Sequence, residues 1–286
     1  MKKRVYIEIG NICNLACSFC PTLKRERRQM NEAEFRRVMD EVAPYASEIF
    51  LHLMGEPLLH PMLERLLSIA EGYGVPVSIT TNGFLLPKQG ELLLRHGKII
   101  KKVNISLQSY EANRERCTLD AYLGGCISFA RCAADVGIYT VFRLWNFDSE
   151  TEKGRNTHNN EILARLHDAY PGEWQTRYSG FRIGKNTFLE CAEIFEWPSE
   201  SEAEACEVGR CHGMVDQIGI LADGTVVPCC LDSEGEIALG NLFEMSLCEI
   251  LDTQRAREME RAMRCGAFTE ALCKTCTYAR RFSRKN

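Results

Sequence analysis

The chain has 286 residues, 45% hydrophobic and 26% charged, with 35 Lys and Arg against 39 Asp and Glu for a net charge of −4. These values are those of a globular protein: they exclude disorder and collagen-like repeats, and no apolar run approaches the ~20 residues of a membrane span. The acidic excess speaks against a nucleic-acid polymer as partner, because such binders carry basic surfaces. Cysteine is the outlier, with 15.

In chain order, residues 5–9 (VYIEI) read as a strand that feeds a cysteine-rich loop. Asn31 and Glu34 have capping-box spacing, and Phe35, Val38, Met39 and Val42 then recur at helical intervals to about residue 43. An apolar run at 49–54 (IFLHLM) reads as a second strand. Residues 61–73 read as a helix with Leu63, Leu66, Leu67 and Ala70 on one face. Residues 75–80 form a third strand ending at the turn pair Asn82-Gly83. Helices at 88–96, 120–136 and 159–169 alternate with strands at 99–107 and 138–145. Strand and helix repeated about five times imply a parallel sheet with right-handed crossovers. The alternation fades near 185, so the expected fold is α/β, a partial (β/α)6 barrel rather than a closed eight-unit one.

Residues 190–207 hold seven Glu and no Lys or Arg, the composition of a solvated linker. Beyond it, MVDQIGIL and TVVPCC flank an Asp-Gly turn and read as a hairpin, and 246–264 reads as one helix. The expected organisation is a barrel at 1–189, an acidic linker at 190–206 and a small hairpin-plus-helix cluster-binding domain at 207–286. That last unit is too small for a core of its own, so a metal cluster would help it fold.

The opening MKKRVYIEIGN lacks an export signal, which places the chain in the reducing cytoplasm, where clustered cysteines serve as metal ligands or redox groups more often than as disulfides. Cys13, Cys17 and Cys20 form C-x3-C-x2-C, a pattern expected by chance only ~0.04 times at this composition. No histidine lies within thirty residues of Cys20 to complete a local zinc site. Three thiolates with one open iron fit the missing ligand better. A second group spaces Cys211, Gly224 and Cys229 as C-x12-G-x4-C across the hairpin, followed by Cys273 and Cys276 as C-x2-C. Four thiolates complete one cluster, or one zinc site; Cys230 is an alternative to Cys229.

CNLACSFC, MGEPLLHP (54–61), TTNG (80–83) and NISLQS (104–109) together resemble the radical S-adenosylmethionine (SAM) superfamily over roughly residues 5–185, with Met54 in place of the first Gly of the GGEP segment. The second cysteine group resembles the SPASM/twitch extension in its short form, and LGNLFEMSLCEIL (239–251) resembles its intervening segment. The resemblance implies two 4Fe–4S clusters, one on Cys13, Cys17 and Cys20 and an auxiliary one on Cys211, Cys229, Cys273 and Cys276. It implies SAM on the open iron of the first, held by Phe19, Gly55, Glu56, Asn82, Ser106, Gln108 and Arg143, with Trp145 and Asn146 nearby. Gly55 leaves carbonyls open to an ammonium, and the Arg143 fork matches a carboxylate. No further cysteine follows Cys276, so a single auxiliary cluster is expected.

The implied chemistry is reductive cleavage of SAM to a 5′-deoxyadenosyl radical that takes a hydrogen atom from a small substrate, with a flavodoxin- or ferredoxin-type electron donor. The layout resembles the aminocyclitol dehydrogenases, and the opening EIGNICNLACSFCP is similar to queuine lyases, which cleave a 7-deazaguanine base; the lyase reading is preferred over the oxidoreductase one. Peptide modification is a third reading, weakened by the lack of room for a leader-binding domain before Cys13. An iron–sulfur electron carrier is the non-enzyme alternative, for which the GEP, TNG and SLQS segments have no use.

Overall fold

The computed structural model describes residues 2–146, 157–177, 180–193, 196–198 and 205–283. Strands β1 (Lys3–Ile7), β2 (Ala46–Phe50), β3 (Val77–Thr81), β4 (Ile100–Ser106) and β5 (Tyr139–Leu144) are linked in parallel. Helices α1 (Glu32–Val42), α2 (Leu63–Tyr73), α3 (Leu86–Arg95) and α4 (Leu119–Asp135) make the crossovers, and α5 (Asn159–Ala169) follows β5. The capping box forms: Asn31 Oδ1 accepts from Glu34 N at 3.0 Å, and Glu34 Oε2 accepts from Asn31 N at 2.8 Å. Phe35, Val38, Met39 and Val42 of α1 are fully buried, as are Leu66, Leu67 and Ala70 of α2.

Two expectations are corrected and one is borne out. The second strand ends at Phe50; Leu51 N still donates to Ser78 O of β3 at 3.0 Å, but the rest of the apolar run, including buried Leu53 and Met54, is a loop whose burial mimics a strand in hydropathy. The expected partial (β/α)6 barrel is present, with its last strands beyond the point where the alternation fades. Strands β6 (Gln175–Arg177), β7 (Gly180–Gly184) and β8 (Thr187–Cys191) follow α5, and β8 pairs in parallel with β5 as the sixth parallel barrel strand. Every residue of β6 is exposed, so it carries no apolar signal.

The hairpin forms as β9 (Gln217–Ile220) and β10 (Thr225–Val227), with Gly224 at φ +86° in the turn and a short β11 (Gly240–Asn241) beyond. Strand β9 pairs in parallel with β1, so the eleven strands form one open sheet, ordered β11-β10-β9-β1-β2-β3-β4-β5-β8-β7-β6. Buried Ile218, Ile220 and Val226 join the same core as Val5, Ile7 and Ile49. The expected helix at 246–264 is two, α6 (Leu247–Asp252) and α7 (Gln254–Arg264), followed by α8 (Ala271–Thr275). Thr253 is the break: it leaves helical geometry at ψ 151°, and its hydroxyl accepts from Ala256 N at 3.3 Å, capping α7. Of the acidic segment, residues 194–195 and 199–204 lie outside the described residues. Among the described residues no helix is long and apolar enough to cross a membrane.

Candidate active site

The loop after β1 is held at its stem. Asn11 Nδ2 donates to Glu26 O at 2.8 Å, and Asn11 Oδ1 accepts from Arg28 N at 2.9 Å. Above it Cys13, Cys17 and Cys20 turn toward the barrel mouth. Leu15 N donates to Cys13 Sγ at 3.4 Å and Asn113 Nδ2 to Cys17 Sγ at 3.4 Å. The Cys17 and Cys20 thiols are close enough to act on each other's proton, which pulls Cys17 down and pushes Cys20 up.

The GEP segment packs on this loop backbone to backbone. Gly55 sits at φ +77°, and a Cβ there would lie 2.4 Å from Gly10 O, so only glycine fits. Glu56 N donates to Ile12 O at 3.0 Å. The Glu56 carboxylate is buried and accepts from Leu58 N at 3.0 Å and Asn82 N at 2.8 Å. Burial raises it to about 7, against the pull of these hydrogen bonds. It fixes the loop after β2 to the end of β3. Asn82 in turn donates through Nδ2 to Asn14 Oδ1 at 2.9 Å, tying β3 to the cysteine loop.

One cavity of about 510 Å³ opens between the barrel mouth and the C-terminal segment. Cys13, Cys17, Cys20, Phe19, Gly55, Glu56, Asn82, Ser106, Gln108 and Arg143 all line it, and so do Cys211, Cys229, Cys273 and Cys276. Arg143 Nε donates to Glu190 Oε2 at 3.3 Å, and its guanidinium lies 4.5 Å from the centre of the Trp145 ring, which also lines the cavity. Asn146 is not part of that wall. It is buried against α5, where Asn159 Nδ2 donates to it at 3.3 Å.

Near the hairpin, Gly213 lies between the two cysteines: a Cβ there would be 3.6 Å from Cys211 Sγ and 3.7 Å from Cys229 Cβ, ordinary contact distances, and Gly213 N donates to Cys211 Sγ at 3.3 Å. Cys230, also in the wall, is hydrogen-bonded instead to the Tyr6 hydroxyl; burial pushes its thiol up to about 11. Among the described residues no three Cys, His, Asp or Glu side chains converge on the close geometry of a single ion.

The donor chemistry fits iron–sulfur and SAM binding. Three thiols share one partly exposed loop, and Gln108 Oε1 is buried in the wall without a hydrogen-bond partner among the described residues. Apart from Ser106 and Arg143, the inward faces of the strands were not singled out from sequence. Arg4 and Tyr6 of β1, Phe50 and His52 on β2 and its extension, and Thr80 and Asn104 on β3 and β4 also line the cavity. Phe50 excepted, their signal was a two-residue alternation of polar side chains with the buried Val5, Ile7, Ile49, Leu51, Ile79 and Val103.

The family model of the Radical SAM superfamily matches residues 7–158, and that of SPASM, an iron-sulfur cluster-binding domain, matches 211–277. The chain belongs to the radical SAM superfamily. It is a radical SAM enzyme whose cofactors are SAM, a 4Fe–4S cluster and an auxiliary iron–sulfur cluster.

Among curated relatives, the GTP 3′,8-cyclase of Chlorobaculum tepidum is 34% identical over 121 residues, 40% of this chain and 34% of that protein. The GTP 3′,8-cyclase of Microcystis aeruginosa is 23% identical over 312 residues, 89% of each chain. The S-adenosyl-L-methionine-dependent 2-deoxy-scyllo-inosamine dehydrogenase of Niallia circulans is 25% identical over 128 residues, 42% of this chain and 50% of that one. Aligned spans therefore run from about a third to nine-tenths of these relatives' own lengths. Similar solved folds are BtrN in complex with AdoMet and 2-DOIA (TM-score 0.57, 17% identity, 97% of this chain and 93% of that one) and Streptococcus suis SuiB bound to S-adenosylmethionine (TM-score 0.63, 17% identity, 100% and 75%).

Proposed function

We propose that this radical SAM enzyme abstracts a hydrogen atom from a small polar substrate enclosed between two iron–sulfur clusters. The observation that carries this is the single cavity lined by both cysteine sets. Cys13, Cys17 and Cys20 hold the cluster that binds SAM, and Cys211, Cys229, Cys273 and Cys276 hold the auxiliary one. When bound and reduced by a flavodoxin- or ferredoxin-type donor, SAM and its cluster supply the radical. The chain's own part is positional. Gly55 admits the close backbone approach at the SAM end, Asn82 and Glu56 brace the cysteine loop, and Arg143 reaches a carboxylate with the nitrogens that Glu190 leaves free. Phe19, Ser106 and Gln108 complete that end, and Cys230 stays a thiol in the wall.

The preferred substrate is a 7-deazaguanine base of the queuine type, cleaved in a lyase reaction. The relatives named GTP 3′,8-cyclase act on a guanine compound, and Phe50, Trp145 and Trp197 offer flat faces to a heterocycle. A triphosphate fits poorly: the Lys and Arg side chains lining the cavity, among the described residues, are Arg4 and Arg143, and Arg143 already pairs with Glu190. The second reading, dehydrogenation of an aminocyclitol, is supported by the relative from Niallia circulans.

Anaerobic reconstitution with iron, sulfide, SAM and dithionite tests both. Queuine should raise 5′-deoxyadenosine formation and be consumed, while 2-deoxy-scyllo-inosamine should do neither. The opposite pattern selects the dehydrogenase, and no 5′-deoxyadenosine under any condition removes the hydrogen-abstraction reading.

A further inference from the structure

Strand β1 turns Arg4 and Tyr6 into the cavity, while Val5 and Ile7, the alternate residues, are buried in the core. Strand β9 continues that inward face. Gln217 stands opposite Arg4 in the ladder and also lines the cavity, whereas Gly219, opposite Tyr6, adds no side chain. Neighbouring strands lie about 4.8 Å apart, so Arg4 and Gln217 rise from the wall side by side. The Arg4 guanidinium faces inward: its charge acts on the Tyr6 hydroxyl, the Cys230 thiol and the Tyr278 hydroxyl, and all three residues belong to the same wall. On the other side of β1 the Tyr6 ring stacks on Phe50 of β2, centroids 4.6 Å apart, which lays a flat aromatic surface beside the pair.

Among the described residues neither Arg4 nor the Gln217 amide has a hydrogen bond or an ion pair. Their polar atoms are not sealed in the wall either. The buried side-chain nitrogens and oxygens without a partner belong to His52, Asn104, Gln108, Thr140 and Tyr170. The pair therefore presents to the cavity the guanidinium donors, the amide donors and one carbonyl acceptor. It also lies far from the end proposed for SAM, where Gly55 packs on Gly10. Strand pairing continues to Glu8, whose N donates to Ile220 O at 2.9 Å, and the stretch from Arg4 to Glu8 alone spans about 13 Å.

We propose that Arg4 and Gln217 anchor the substrate by a planar edge that carries a carbonyl oxygen beside an N–H. The Gln217 amide pairs with both atoms, and the Arg4 guanidinium donates to the same oxygen. The assignment rests on the cavity being the substrate site, as proposed above, and goes further by giving the ligand a direction. The carbonyl edge of a 7-deazaguanine base lies at the seam of β1 and β9, near the auxiliary cysteines, and the substituent to be cleaved extends toward Gly55. A ring without the carbonyl leaves the donors of both side chains unmatched, which a polar site penalises heavily.

Calorimetry on the reconstituted enzyme with SAM tests this, using 7-deazaguanine and 2-amino-7-deazapurine, the same ring without the carbonyl. The wild type should bind 7-deazaguanine at least ~10-fold more tightly. Arg4→Gln and Gln217→Leu should each weaken that binding ~10-fold and narrow the preference between the bases. The electron paramagnetic resonance signals of both reduced clusters, and the change SAM makes to the first, should stay as in the wild type. A variant that alters the auxiliary signal while base binding is kept assigns the pair to that cluster and overturns the proposal; loss of the SAM-induced change with base binding kept assigns it to the cofactor and does the same. Equal affinity for the two bases, or no binding of 7-deazaguanine by the wild type, overturns it without reliance on any variant. If queuine still raises 5′-deoxyadenosine formation in that case, the anchor alone fails; if queuine has no effect on it, the proposed function fails as well.

Discussion

Met62 N donates to His60 Nδ1 at 3.1 Å, so that nitrogen presents its lone pair, and the ring hydrogen on Nε2 goes to Met30 O at 3.0 Å. The neutral imidazole satisfies both neighbours; a second ring hydrogen would face the Met62 N–H. Burial accordingly pushes the His60 pKa down, although its contacts with Met30 and Ile9 carbonyls oppose the shift. In the unfolded chain the ring takes up its proton near pH 6.5, whereas in the native state uptake waits for lower pH. Below 6.5 the unfolded state therefore binds more protons, and stability falls as pH drops through that window, by at most ~1.4 kcal/mol per unit from this group. Guanidinium unfolding at pH 7.5 and 5.5 checks this: the wild type should lose more stability between the two than His60→Gln. At this scale the sequence named the segments and, within them, singled out residues such as Gly55 and Glu56. His60, Asn11 and Asn104 lie in those segments too, but their roles come from partners elsewhere in the chain, which no segment reveals.

Cysteine loop, second-strand loop and hairpin turn meet on one buried carboxylate. Glu8 accepts from Arg25 Nη1 at 3.0 Å and Nη2 at 2.9 Å, from Met54 N at 3.3 Å and from Ala222 N at 3.2 Å. Its side chain is wholly buried, and Arg25 Nε also donates to Ser233 O at 2.7 Å. Breaking such a pair from one side strands a charge out of water, which costs about 3–5 kcal/mol. Arg25→Met should thus destabilise by about that amount in chemical denaturation, whereas Arg36→Met, at the exposed pair with Glu32, should cost under about 1 kcal/mol. Equal losses would remove Glu8 from its joining role. Crossover helices α1–α5 were legible because each carries one apolar face and packs on a sheet buried on both sides. Strands β6 and β7 were not, because an edge ladder is held by backbone hydrogen bonds that leave little mark on hydropathy. The break at Thr253 was signalled by its own type, a good cap, but apolar spacing ran on from Ile250 through Ala256 and Met259 and hid it.

A hairpin stapled by a cluster would be expected to fold beside the barrel, and strand pairing points the other way. Strand β9 lies against β1 with Arg4, Val5, Tyr6 and Ile7 opposite Gln217, Ile218, Gly219 and Ile220, and the apolar side chains of both regions belong to one core. Cysteines from the first twenty residues and from the last third of the chain reach one cavity because this pairing places β9 and β1 side by side. No sequence pattern foretells a parallel pair between residues more than two hundred positions apart, since either strand alone reads only as a short apolar run. Ile220 is fully buried at this junction. Replacing it with Ala should cost about 2–5 kcal/mol through lost transfer energy and the cavity left behind. If barrel and hairpin unfold as one unit, the loss must appear in native-state hydrogen exchange at the amides of β3 and β4, on the far side of β1 and β2, as well as at β9 and β10. Reduced protection confined to β9 and β10 would mean that the C-terminal unit opens alone. The cavity between the cysteine sets would then be a joint between two bodies rather than a hollow within one.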